Sequence, residues 1–112
     1  MYERNALNVL APRKVSAPGF FFRGCLFEES FTPYGVVLVI APWNYPLQLA
    51  LVPAATAWIA GNSVILKMSE QAPRTARLLA ELIERSGIPA DEFQVVDGGP
   101  DMAKQLIEER PD

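Results

Sequence analysis

Asn44, Lys67 and Glu70 are the residues of this sequence placed to do chemistry. Asn44 lies in Pro42-Trp43-Asn44-Tyr45-Pro46, directly after the apolar run Gly35–Ala41. Lys67 and Glu70 lie in Lys67-Met68-Ser69-Glu70, directly after Ser63-Val-Ile-Leu66, and Lys67 is the only charge between Ser30 and Ser69. In both cases a β-branched apolar run ends and polar groups follow. Open parallel α/β sheets bind ligands at that place, where strand ends and helix starts leave a crevice lined by backbone N–H groups. A lysine and a glutamate emerging from an almost uncharged block therefore point to a ligand contact. Each also has a plainer reading. Asn44 can close an Asx-turn across the Pro42–Pro46 bend, and spacing alone favours that. Lys67 and Glu70 can form a cap or ion pair at a helix start.

The elements that must position these residues follow from periodicity. Gly35–Ala41 is a continuous apolar run, the mark of a strand covered on both faces. Leu47–Ala60 has helix length and ends at Gly61-Asn62, with Pro53 expected to kink it or delay its regular part. Ser63–Leu66 is a second strand. Pro73–Ser86 is an amphipathic helix with Leu78, Leu79, Leu82 and Ile83 on one side; it starts at a proline and stops at Gly87. Phe93–Val96 is a third strand, and Asp101–Arg110 repeats the helical pattern. Strands alternating with helices imply a parallel sheet with right-handed crossovers. The fold class is thus α/β, a partial doubly wound parallel sheet of order β-α-β-α-β-α. A short N-terminal arm with one or two strands precedes it. Residues 1–32 form the arm and aromatic segment and residues 33–112 the sheet domain. Residues 1–19, of mixed charge with two prolines, read as a connecting arm, and the Phe-rich stretch Gly19–Phe31 as one or two short strands. Its phenylalanines suit a sheet face or an interface more than a ligand site.

Composition narrows the functional classes. The chain has 112 residues, half of them apolar, and a net charge of −3, enough for a core and without the basic footprint of a nucleic-acid binder. There is no histidine, so the commonest general base and metal ligand is absent and no metal site is read. One cysteine, Cys25, fits a reducing, cytoplasmic compartment and reads as a small apolar strand residue. Val36–Ala60 is uncharged, but Pro42, Pro46 and Pro53 break it, so it reads as strand-turn-helix and not as a membrane span.

Taken together, Pro33–Pro46, the run Ala60-Gly-Asn-Ser-Val-Ile-Leu-Lys-Met-Ser-Glu70 with Pro73, Gly87-Ile-Pro89 and Phe93–Val96 closely resemble the aldehyde dehydrogenase superfamily. The aromatic N-terminal segment and Gly98-Gly99 look most like its class 3, fatty or aromatic aldehyde branch. The resemblance implies an oxidoreductase that converts aldehydes to carboxylic acids with NAD or NADP and acts as a homo-oligomer. It implies that Asn44 is catalytic, its carboxamide donating to the oxyanion formed when a thiolate attacks the aldehyde. It implies that Ile40, Ala41, Pro42 and Trp43 line the nicotinamide end of the cofactor. Lys67, Ser69 and Glu70 would then serve the adenosine ribose, with ammonium and carboxylate donating to and accepting from the 2′,3′-diol. Glu70 so placed disfavours a 2′-phosphate and favours NAD. Met68 departs from the proline usual there, which implies a looser loop. Family members are several hundred residues long, so the chain looks like an N-terminal fragment, with the family's catalytic cysteine and glutamate expected beyond Asp112. Cys25 is not that nucleophile. The chain alone is expected to be inactive; the alternative is a truncated paralogue serving as a weak nucleotide-binding or oligomerisation module.

Overall fold

A computed structural model of the chain describes residues 2–16 and 19–109. The chain divides into two compact units, Met1–Pro33 and Tyr34–Asp112.

The first unit departs from the expected arm. It opens with a helix, α1 (Tyr2–Leu10), followed by β1 (Arg13–Val15), a 3-10 turn at Phe20–Phe22 and β2 (Phe27–Glu29). Mixed charge concealed α1, which is short and stops just ahead of Pro12. β1 and β2 pair antiparallel with Arg13 opposite Glu29 and Lys14 opposite Glu28, so opposite charges face each other across the hairpin. Arg13 and Glu29 form an ion pair. The first three phenylalanines form the turn and not a strand. Phe22 meets Phe27 edge-on with ring centroids 5.7 Å apart, and the Arg23 guanidinium sits 5.2 Å from the Phe20 centroid. Cys25 is exposed in the loop after the turn, its N–H donating to the Phe22 carbonyl at 3.0 Å. It is not the strand residue that the sequence suggested.

The second unit has the expected alternation: β3 (Val36–Ile40), α2 (Pro46–Ile59), β4 (Ser63–Lys67), α3 (Pro73–Ser86), β5 (Phe93–Val96) and α4 (Pro100–Glu108). The three strands form a parallel sheet in the order β3-β4-β5. Central β4 buries Val64 and Leu66, whereas β3, at the edge, is only half-buried and is not covered in the way its apolar run suggested. α2 lies against β3 and β4, and α3 against β5 and α2. α4 follows β5 in sequence yet packs on β3, so the chain recrosses the sheet after its third strand.

The core is Ala41, Ala50, Ala54, Val64, Leu66, Met68, Ala76, Leu79 and Phe93. α2 is apolar except for Gln48 and Thr56, and it presents alanines to the sheet, which allows close approach. Leu47, Leu49 and Val52 stay exposed. The helix runs through Pro53 without interruption; its missing donor falls next to exposed Leu49 and Val52. α3 ends at Gly87, which adopts the left-handed conformation (φ 75°) that closes a helix cheaply in glycine. At Gly98 a Cβ would stand 2.8 Å from the Met102 Cβ, so no larger residue fits before α4 in this geometry.

Candidate functional site

At the carboxyl end of β3 the ladder continues one residue beyond the strand. Ile40 lies opposite Lys67, and the N–H of buried Ala41 donates to the Lys67 carbonyl at 2.9 Å. Pro42, Trp43, Asn44 and Tyr45 then form an exposed exit turn. Tyr45 caps α2 in the left-handed conformation (φ 46°, ψ 49°), and Pro46 occupies the first helical position, where a missing N–H costs nothing. A non-glycine residue in this region carries backbone strain. Tyr45 is 73% exposed, so packing of its ring does not offset that strain. Among the described residues the Asn44 carboxamide makes no hydrogen bond within the chain. The Asx-turn that spacing favoured does not form, and the bend is held by backbone geometry and two prolines.

At the carboxyl end of β4, Lys67 is 3% exposed. Its Nζ donates to Glu70 Oε2 at 3.2 Å, and the Glu70 side chain is 44% exposed. A buried ammonium has three donors, and among the described residues Glu70 is the one side-chain partner this lysine has. The pair is thus an ion pair, as the plainer reading held, with the cation buried and the carboxylate at the surface. The Glu70 carboxyl lies below the usual glutamate range, first because its own backbone N–H donates to it and second because Lys67 does. Ser69 is buried; its Oγ accepts from the Gln71 N–H at 3.2 Å and its carbonyl from the Ala72 N–H at 3.0 Å. These bonds make Ser69 the pivot of the turn into α3, with its hydroxyl proton still available to donate.

Met68 does not loosen this loop. It is fully buried, and its N–H donates to the Val96 carbonyl at 3.2 Å, a bond that a proline could not make. The β4–β5 ladder therefore runs one residue past the strand. Asn62 is a second residue whose role the sequence did not reveal. Its Oδ1 accepts from the N–H groups of Tyr34 (2.7 Å) and Gly35 (3.2 Å), and its Nδ2 donates to the Ala57 carbonyl at 2.8 Å. It latches the end of α2 to the entry of β3. The Gly61-Asn62 stop was the visible signal, but the partners lie 27 and 28 residues away. Among the described residues no three metal-ligating side chains of the Cys, Asp or Glu type come together.

The sheet therefore brings Ile40 and Ala41 abreast of Lys67, with half-exposed Glu70 paired to that lysine and Asn44 on the exit turn after β3. The sequence profile described as "Aldehyde dehydrogenase family" matches residues 22–111. The chain belongs to the aldehyde dehydrogenase family. Aldehyde dehydrogenase family 3 member B1 of Rattus norvegicus is 50% identical over 80 residues, 71% of this chain and 17% of that protein. The 4,4'-diapolycopene aldehyde oxidase of a Methylomonas species is 40% identical over 111 residues, 99% of this chain and 21% of that protein. The substrate-bound structure of AldH from Staphylococcus aureus superposes with a TM-score of 0.85 at 35% identity, covering 93% of this chain and 22% of that one. These relatives support the class 3-like branch of the aldehyde dehydrogenases and the partial parallel α/β sheet of their cofactor-binding domain. The chain spans about a fifth of the length of each of these relatives.

Proposed function

We propose that this chain forms part of the nicotinamide-cofactor cleft and the oxyanion side of an enzyme that oxidises aldehydes to carboxylic acids with NAD or NADP. The observation that carries the reading is buried Lys67, placed at the carboxyl end of the central strand with a half-exposed carboxylate as partner. An ammonium with unused donors beside an acceptor of depressed pKa suits a ribose diol, one hydroxyl accepting from Nζ and the other donating to Glu70. Ser69, between them in the sequence, can donate its hydroxyl proton. Ile40, Ala41, Pro42 and Trp43, abreast of Lys67 and beyond, line the path toward the nicotinamide. When bound, the cofactor accepts hydride from the substrate carbon. Asn44, free of hydrogen bonds among the described residues, donates its amide N–H to the carbonyl oxygen as that oxygen gains negative charge, without titrating itself. NAD is favoured over NADP because Glu70 repels a 2′-phosphate. Domain organisation as an arm (residues 1–32) and a cofactor domain (residues 33–112), homo-oligomeric assembly and a cytoplasmic location belong to the same proposal. Among the described residues no helix is long and apolar enough to cross a membrane.

The test is a calorimetric titration of the 112-residue chain with AMP and with 2′,3′-dideoxy-AMP. AMP should bind more tightly, and Lys67→Met or Glu70→Gln should abolish the difference. Equal binding of the two nucleotides by the unmodified chain would overturn the reading. The chain alone should give no absorbance rise at the nicotinamide band with any aldehyde, because it offers an oxyanion donor without an activated nucleophile. Turnover lost on Cys25→Ser would assign the nucleophile to Cys25 instead.

A further inference from the structure

We infer that the open side of β5 and the stripe of α3 beside it form a two-fold docking surface for a second copy of this chain; this rests on the homo-oligomeric assembly proposed above and gives it an interface. β5 stands at the end of the strand order, and among the described residues β4 is its one neighbouring strand. The Val64 N–H donates to the Glu92 carbonyl and the Met68 N–H to the Val96 carbonyl. Carbonyls along a strand point alternately to its two sides. Those of Phe93 and Val95 therefore point away from β4, as does the Val95 N–H. An edge of this kind is a template for another strand.

Two cavities mark this edge. One, of about 330 Å³, touches Gln94 as well as Phe93 and Val95. Successive strand side chains point to opposite faces, so a space that meets all three opens at the rim of the sheet. It reaches Ala80, Ile83 and Glu84 of α3. The other, of about 200 Å³, shares Ala80 and Val95 with the first and continues to Ala76, Arg77 and Asp97. Ala80 is thus level with Val95, and Ala76, Arg77, Ala80, Ile83 and Glu84 make one helical stripe along the open edge. Arg77 and Glu84 are the charged residues of α3 on that stripe; both are exposed, and among the described residues neither has an ion-pair partner.

The charges select a second copy as the occupant. Arg77 lies three residues before Ala80 and Glu84 four after it, so about 4.5 and 6 Å along the axis in opposite directions. A two-fold axis through Val95 pairs β5 antiparallel with its copy. Val95 then exchanges N–H···O bonds with its equivalent, and the Asp97 N–H meets the Phe93 carbonyl of the other copy. The two α3 helices run antiparallel, with small Ala80 where they approach. Arg77 of each copy stands against Glu84 of the other, so the same ion pair forms twice. Asp97, the remaining charge at this edge, comes opposite Phe93, whose acidic neighbour Glu92 is already engaged by Trp58 Nε1 at 3.1 Å.

Sedimentation velocity of the 112-residue chain tests this with charge swaps. Arg77→Glu and Glu84→Arg each set like charges together at two places and should weaken dimerisation by about tenfold. The variant carrying both changes restores the pairs and should return to within about threefold of the unmodified chain. Both positions are exposed, and circular dichroism verifies that the fold is kept. Neither lies on α2, so association through that helix does not respond to the swaps. Amide exchange at Val95 should slow as concentration rises, because its N–H is bonded only in the dimer. Single swaps that weaken association without rescue by the double variant would overturn the inference. If the chain oligomerises while the swaps and Val95 exchange show no effect, another face holds the oligomer; the inference about β5 is then wrong and homo-oligomeric assembly stands. A monomer at every concentration overturns both.

Discussion

Glu70 shows how backbone and side chain share the control of one charge. Its carboxyl is held below the ordinary range first by its own N–H and second by Lys67. A carboxyl with a depressed folded-state pKa contributes stability above its unfolded pKa, near 4.3 for glutamate. That contribution is lost as pH falls through the lower, folded value. The stabilisation is therefore complete at neutral pH and disappears only on acidification. A carboxyl-detected NMR titration should place Glu70 below the other glutamates. Lys67→Met should return it only part of the way, since the backbone donor remains. A full return to the ordinary value would show that Lys67 alone sets it. The i, i+3 spacing made this pairing legible in the sequence. The burial of Lys67 was not legible, because it depends on β3 and β5 flanking the central strand. The same holds for Met68, whose place follows from a strand register that joins residues some thirty positions apart.

At the scale of elements, legibility followed local punctuation. α3 and β5 occupy the residues that periodicity assigned, Pro73–Ser86 and Phe93–Val96, because Pro73, Gly87 and Pro89 mark their ends in the sequence itself. β4 extends one residue further than expected, to Lys67, since strand length is set by pairing partners and not by the apolar run. The hairpin strands β1 and β2 are three residues each and gain their order from charge pairs across the hairpin, which no short window contains. Asn62 acts at this scale too. Asn62→Ala would leave the N–H groups of Tyr34 and Gly35 and the carbonyl of Ala57 without this partner, and should cost about 2–3 kcal/mol in denaturant unfolding. Asn62→Asp keeps the acceptor and should cost less; equal losses would show that the donor to Ala57, and not the latch to β3, carries the effect. Gly98→Ala makes a complementary case. Its Cβ must push Met102 and the start of α4 away, a loss of about 1–3 kcal/mol typical of overpacking. Met102→Ala should recover only part of it, because the Met102 Cβ itself is the nearest atom.

The molecule as a whole combines a small, well-packed core with a wide apolar surface. On α2 the alanines at 50 and 54 are buried, while Leu47 (49% exposed), Leu49 and Val52 face out, and α3 exposes Leu78 and Leu82. An amphipathic pattern explains which face of α3 meets the sheet, but α2 has no polar face to give to water. Covering such a surface recovers roughly 25 cal/mol for each Å² of apolar area, so the isolated chain should associate. Light scattering of the 112-residue chain should show species larger than a monomer, growing with concentration and with moderate heating. Replacing Leu47 and Val52 together by glutamine should shift the distribution toward monomer while the circular dichroism of the sheet and helices is retained, because neither side chain belongs to the core. Loss of secondary structure in that variant would mean that both side chains support the fold. A monodisperse monomer in the unmodified chain, with a cooperative transition above about 5 kcal/mol, the range of intact domains, would show that the exposed face of α2 needs no cover.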